Sequence, residues 1–247
     1  MGLISAGLCD IGQKRKTNQD SIYLNPDKNI YIVADGMGGH NGGDIASAMA
    51  VKYVPEYILK NYKNDPIKTS QESVKFANHC ILERGKKDHA LEGMGTTIVT
   101  MYFRGQNLYL TNVGDSRAYL VNKNKLYQLS KDHGLVQEKL NMGIYSREQA
   151  AQDPHKNVLV RTVGFDAEVL VDVFTYKVSK SDILLSCSDG LHGKVNDEDI
   201  IYIINEFIPD PSQATPEIVQ ECAEFLVKQA NLNGGNDNIS VILVVAQ

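Results

Sequence analysis

Five aspartates, Asp20, Asp35, Asp115, Asp189 and Asp237, stand at the ends of short apolar runs, each beside or within two residues of Gly or Asn. Taken singly, each reads equally well as a turn residue, because Asp, Asn and Gly are ordinary turn chemistry. Their joint occurrence points further. Strand ends on one edge of a sheet structure can converge on a cleft, and carboxylates brought together repel one another unless cations neutralise them. Oxygen donors with no Cys and few His suit hard ions, Mg2+ or Mn2+. A carboxylate-rich two-metal centre suits phosphate-ester hydrolysis, in which paired ions activate water and clamp both oxygens of an in-line displacement. Arg15, in the polar stretch Asp10–Asp20, reads either as a solvated loop cation or as a guanidinium fork for phosphate oxygens.

The stretch from Asn29 to Gly43 is the centre of this pattern. An apolar run, Ile30 to Ala34, turns abruptly into Asp35-Gly36, then Gly38-Gly39, His40 and Gly42-Gly43. A short apolar run that stops at Gly reads as a buried strand, and the glycines let the backbone approach a ligand closely. A hairpin turn is the plain alternative.

The elements that must position these residues follow from periodicity. Strands are expected over Leu3–Cys9, Ser21–Leu24, Ile30–Ala34, Gly95–Phe103, Asn107–Val113, Ser116–Asn122, Lys125–Leu129, Glu168–Tyr176, Asp182–Ser186 and Ile239–Val245. Apolar stripes at helical spacing predict helices over Gly43–Asn61, Thr69–Lys87, Asp197–Phe207 and one opened by Thr215-Pro216. Pro55 predicts a kink or a last turn in the first of them. Residues 130–164 form a polar excursion with helical pieces near Gly134–Met142 and Ser146–Gln152, the kind of insertion that forms a lid or recognition surface. His133 and His155 within it read as structural or solvent-facing rather than as ligands.

Composition bounds the class. With 43% hydrophobic and 22% charged residues over 247, and no linker-like or repeated tract, the chain reads as one globular domain. A formal net charge of -5 without a Lys/Arg block gives no support for a nucleic-acid partner. No apolar run approaches a membrane span, and the N-terminus lacks a signal-peptide pattern, so no membrane partner and a cytoplasmic location are expected. Cys9, Cys80, Cys187 and Cys222 are far apart without a CxxC pair, which fits a reducing compartment and argues against zinc.

The run Asp10-x-Gly12-x-x-Arg15-x-x-Asn18-Gln19-Asp20 resembles the opening motif of the type 2C metal-dependent Ser/Thr protein phosphatases. Val33-Ala34-Asp35-Gly36-Met37-Gly38-Gly39-His40 resembles their second motif in its bacterial form. Gly95-Thr96-Thr97, Val113-Gly114-Asp115-Ser116-Arg117, Leu184-Leu185-Ser186-Cys187-Ser188-Asp189-Gly190-Leu191 and Gly235-Asn236-Asp237-Asn238-Ile239-Ser240 are similar to further motifs in the family order. The likeness runs from Asp10 to Val244.

This resemblance implies an α+β fold, an αββα sandwich of two antiparallel β-sheets flanked by helix pairs, over residues 1–247 with a flap at about 130–164. It implies hydrolysis of phospho-Ser/Thr in proteins by a metal-bridging hydroxide, with no phospho-enzyme. Asp35, Asp189 and Asp237 would be the principal ligands of two Mn2+ or Mg2+ ions, with the Gly36 carbonyl as a further one. Asp20 would act through a metal-bound water, and Asp115 with Asp189 would hold a third, weaker metal. Arg15 would bind the substrate phosphate, His40 would be the general acid for the leaving oxygen or a loop His that only orders water, and Asn238 would support Asp237. The implied partners are phosphorylated proteins, substrates of a Ser/Thr kinase, met by a monomer that is either a free catalyst or the catalytic domain of a longer protein. Three positions depart from the family pattern: Gly134 stands where a small hydroxyl residue is usual, Asp153-Pro154 where many relatives have His-Pro, and His192 is unusual after Asp189-Gly190. They bear on substrate choice and third-metal affinity. A non-catalytic binding relative would have lost a metal Asp or Arg15, and none is lost. A metallophosphoesterase for small molecules or nucleotides is the alternative that the site alone allows.

Overall fold

A computed structural model of the chain describes residues 2–37, 42–122, 125–155 and 157–247, less the side chains of Arg147, Ala151 and Gln152. Alternation along its strands sets the layers. In Ile30–Met37 (β3), Ile30, Ile32 and Ala34 face one buried cluster while Tyr31 and Val33 face another. In Ile239–Ala246 (β11), Val241, Leu243 and Val245 pack one way, and Ile242, Val244 and Ala246 the other. Strands apolar on both faces belong in the middle of a layered structure, since successive side chains point to opposite sides.

The first sheet has the order β1-β11-β10-β7-β8, from Leu3–Asp10 (β1), β11, Ile183–Cys187 (β10), Arg117–Asn122 (β7) and Lys125–Gln128 (β8). The second has the order β2-β3-β5-β6-β9, from Asp20–Asn25 (β2), β3, Ile98–Arg104 (β5), Asn107–Val113 (β6) and Asp172–Lys177 (β9); the short Gly95–Thr96 (β4) also pairs with β3. Every pairing between these strands is antiparallel.

The sheets meet through Tyr31, Val99, Met101, Leu184 and Ile242. Helices Gly43–Lys60 (α1) and Pro66–Lys87 (α2) cover the outer face of the second sheet, burying Ala46, Ala50, Val54, Val74 and Ile81. Helices Asp197–Phe207 (α6) and Pro216–Leu232 (α7) cover the first, burying Ile200, Ile204, Val219 and Leu226. The result is the expected αββα sandwich. Residues 130–164 carry two short helices, Leu135–Asn141 (α3) and Arg147–Gln152 (α4), and Asp189–His192 forms a single turn (α5). Among the described residues no helix is long and apolar enough to cross a membrane.

Pro55 lies within α1, which runs on to Lys60, so it does not mark the last turn; its neighbours Val54 and Ile58 are buried in the helix-side core. Three differences from the sequence reading have local causes. Helix α2 starts at Pro66, because the Asp65 side chain accepts from the Lys68 amide at 2.8 Å and Pro66 suits a first helical position. The stretch Gly95–Phe103 is two strands broken at Thr97, whose amide and hydroxyl turn to Asp35. The strand expected from Glu168 begins only at Asp172: β6 pairs with it up to Asn112 and ends at Val113, so the alternating Val169 and Val171 pack into the helix-side core with no strand partner.

Candidate active site

The register of β2 on β3 places Asp20 opposite Asp35. Asp20 is gripped from the other sheet: its Oδ2 accepts hydroxyl hydrogen bonds from Ser188, just before α5, and Ser240, in β11, both at 2.7 Å. Its Oδ1 is buried with no hydrogen-bond partner among the described residues. The Asp35 amide donates to Thr97 Oγ1 at 3.0 Å, and its carbonyl accepts from the Thr97 amide at 2.8 Å and the Thr96 hydroxyl at 2.9 Å. Gly36 donates to the Gln19 carbonyl at 3.1 Å, and a Cβ there would strike the Gly43 carbonyl, so only glycine lets β3 lie this close to the start of α1.

Asp189 opens α5 at the end of β10. A side chain at Gly190 would strike the Asn238 carbonyl; this close backbone approach joins the Asp189 turn to the segment that holds Asp237. Asn238 does more than support its neighbour. Its amide donates to Asp237 Oδ1 at 2.9 Å, while its side chain accepts from the Gln19 amide and donates to the Ile11 and Thr17 carbonyls, tying down the loop that carries Arg15. Arg15 Nη2 then meets Asp237 Oδ2 at 2.6 Å. Asp115 follows Gly114, whose φ of +104° favours glycine, and its carbonyl lies 3.1 Å from His192 Nε2.

Asp35, Asp115, Asp189, Asp237, Gly36 and Arg15 thus line one cleft of about 290 Å3, together with Asn157 and Leu159 of the excursion. A larger hollow of about 670 Å3, between Leu8, Lys14 and Val227, gathers no comparable set of carboxylates. Asp20 sits behind the cleft. His40 lies outside the described residues. His133 is structural: it is 3% exposed, its Nδ1 accepts from the Gly114 amide at 3.2 Å and its Nε2 faces Asp172 at 3.2 Å. His155 is exposed and turns back on Asp153.

The electrostatics of the cleft run in one direction. Burial, then Asp20, Asp189, Asp115 and Asp237, hold Asp35 well above the usual carboxylate range. Burial pushes Asp115 up to about 7, with Asp189 adding to it, and Asp20 up to about 6 against the pull of Ser240 and Ser188. Asp189 is raised by burial and then by Asp237.

Among the described residues, no group of three or more Asp, Glu, His or Cys side chains stands ready as a metal-ligand set. The donor set nonetheless suits a hard divalent cation: oxygen atoms only, too much negative charge for the one guanidinium present, and an orphaned buried oxygen on Asp20.

Ser188 and Ser240 are the site residues that sequence reasoning passed over as ligand supports. Their signal was present, since both lie in the motifs around Asp189 and Asp237, but nothing in a Ser beside an Asp says that it reaches a third Asp in another sheet.

The family model described as Protein phosphatase 2C matches residues 12–227. The serine/threonine phosphatase stp of Listeria innocua is 37% identical over 242 residues, 95% of this chain and 92% of that protein. Among solved structures, the Mycobacterium tuberculosis serine/threonine phosphatase PstP/Ppp superposes with a TM-score of 0.89 at 30% identity, covering 100% of both chains. The catalytic domain of PstP in complex with two manganese ions superposes at 0.85 with 30% identity, covering 98% of this chain and 97% of that one. With the two-sheet sandwich and its carboxylate cleft, these matches place the chain in the protein phosphatase 2C family of serine/threonine phosphatases.

Proposed function

We propose that the chain hydrolyses phosphoserine and phosphothreonine esters in proteins, with Mn2+ or Mg2+ held in the carboxylate cleft. The observation that carries this reading is the convergence of Asp35, Asp115, Asp189 and Asp237 with Arg15 on one cleft, where crowded carboxylates call for a divalent cation. Asp35, Asp189, Asp237 and the Gly36 carbonyl would hold two ions, Asp20 would act from behind through water, and Asp115 with Asp189 would hold a third, weaker one. Two such ions, when bound, supply an activated water and neutralise charge at phosphorus. Arg15 stands at the rim with its guanidinium beside Asp237, placed to take phosphate oxygens as a fork. Thr97, the hydroxyl-bearing residue of the cleft, is committed to the Asp35 amide and to Ser116 at 2.7 Å. That favours attack by water without a phospho-enzyme. His40 is assigned the proton for the leaving Ser or Thr oxygen. A single catalytic domain acting as a cytoplasmic monomer against the products of a Ser/Thr kinase completes the proposal.

The test is phosphate release from a phosphothreonine peptide with Mn2+ and with EDTA, for the wild type and Asp189→Asn. Turnover that needs Mn2+ and is lost in the folded variant is the expected result. Absence of turnover by the folded wild type would point to a binding role, and turnover of nucleotides but not peptides to a small-molecule phosphoesterase.

A further inference from the structure

Beside the carboxylate cleft lies a second hollow of about 370 Å3, and the two share Met37, Asn157 and Leu159. Past that shared wall it is bounded by Gly95, Thr162 and Phe165. The chemistry of the two spaces differs. The cleft is lined by four aspartates and Arg15; the hollow has one amide and one hydroxyl side chain and no charged lining residue among those described.

Its wall is fixed in place. Thr96 and Val163 exchange both backbone hydrogen bonds, at 2.9 and 2.8 Å, and Gly95 and Thr96 pair in turn with Met37 and Gly36. The segment carrying Leu159, Thr162 and Phe165 is therefore laddered onto the strand that carries Asp35. The Gly164 amide donates to Asn78 Oδ1 at 2.6 Å, and Asn78 Nδ2 donates to the Asp166 carbonyl at 2.9 Å, which fastens both sides of Phe165 to α2. Phe165 is left 61% exposed at the rim. A Cβ on Gly95 would come within 3.1 Å of the Val163 carbonyl and 3.8 Å of Met37 Cγ, so glycine keeps the floor open.

We infer that this hollow is a substrate subsite that takes an apolar side chain flanking the phosphorylated residue. The inference rests on the phosphoprotein reading of the cleft. A peptide whose phosphate enters the cleft must continue over the shared Met37–Leu159 wall or away from it. Neighbouring residues of an extended chain are about 3.8 Å apart at Cα, so one within three positions reaches the hollow. An apolar side chain gains there by leaving water against Met37, Leu159 and Phe165. A charged one would lose hydration and find no opposite charge.

The experiment compares kcat/KM of the Mn2+-loaded enzyme for phosphothreonine peptides that carry Leu, Asp or Lys at positions within three residues of the phosphothreonine. Each value is divided by the same variant's kcat/KM for p-nitrophenyl phosphate, which is too small to occupy both spaces. The wild type is expected to favour a Leu peptide by about tenfold, chiefly through KM. Phe165→Ala should cut that preference to about twofold, and Phe165→Lys should turn it toward the Asp peptide. Equal normalised values for all wild-type peptides, or a preference untouched by both Phe165 variants, would overturn the subsite. Turnover of p-nitrophenyl phosphate with no turnover of any peptide would instead overturn the phosphoprotein reading, and the subsite with it.

Discussion

At the scale of single residues, the cleft works by holding carboxyls where they repel. Asp35 is fixed by Thr96 and Thr97 through its own backbone, which leaves its carboxyl to face Asp20 and Asp189. Asp35→Asn puts a neutral amide of the same shape in place of the carboxyl and so relieves the repulsion from Asp20 and Asp189. It should stabilise the metal-free protein by about 1 kcal/mol, as relief of a functional site commonly does, and abolish any response to Mn2+. Urea unfolding with and without Mn2+ reads both effects. Ser240→Ala should act in the opposite sense. It strips one of the two hydroxyls from a buried Asp20 oxygen, a loss of about 1–3 kcal/mol. The midpoint of a urea titration should fall with its slope unchanged.

At the scale of elements, residues 130–164 hang on a few anchors. One is His133, whose amide donates to the Gly114 carbonyl at 2.9 Å while its Nδ1 accepts from the Gly114 amide. Burial lowers its pKa from the ordinary 6.5, with Arg161 adding to this and Asp172 and Asp132 opposing it. A lowered histidine pKa means that the unfolded chain binds the proton more readily. The stability involved is whole above about pH 6.5 and is lost as pH falls toward the folded value. In urea titrations between about pH 5 and 7.5, the stability advantage of the wild type over His133→Gln should shrink as pH falls, the opposing contributions of the raised Asp115 and Asp20 being common to both proteins. A second anchor is Asp153, whose carboxylate accepts from the His155 amide at 2.7 Å and meets Lys139 at 3.4 Å. Those bonds hold it well below the usual carboxylate range. Asp153→Ala should speed limited proteolysis between α3 and Asn157 and leave the melting of the sandwich unchanged, as gel and calorimetry would report. Gly134, the other departure in this segment, caps α3 and bridges to Leu159, and its extended φ of -102° makes no demand for glycine.

At the scale of the molecule, the two sheets pack on each other through a common core and share one functional edge. Asp20 and Asp35 come from one sheet, Asp189 and Asp237 from the ends of β10 and β11 in the other. A cation bound between them would fasten the layers together and would bind only the folded chain. Mn2+ at 100 times its dissociation constant should add about 2.7 kcal/mol and raise Tm by about 5–10 °C. EDTA should reverse the shift, and Asp189→Asn should lose it. A differential scan with and without the metal checks this independently of any activity.

The succession of strands and helices was legible in the chain because side-chain period is a local property. Asn107–Val113 and Asp197–Phe207 were read at their observed ends, and each of the five aspartates stood visibly at the end of an apolar run. The motifs around them carried the family. Pairing partners were not legible in the same way, since a strand that is apolar on both faces accepts many neighbours equally well. Only the tertiary structure put β11 between β1 and β10, and with it Asp237 beside Arg15 and Asp189. It also decided that Ser188 and Ser240 close on Asp20 across the two sheets, that Asn238 ties the Arg15 loop, and that an uncharged hollow opens beside the carboxylates. Those contacts join residues far apart in the chain, and their energy exists only once both sheets are formed and packed.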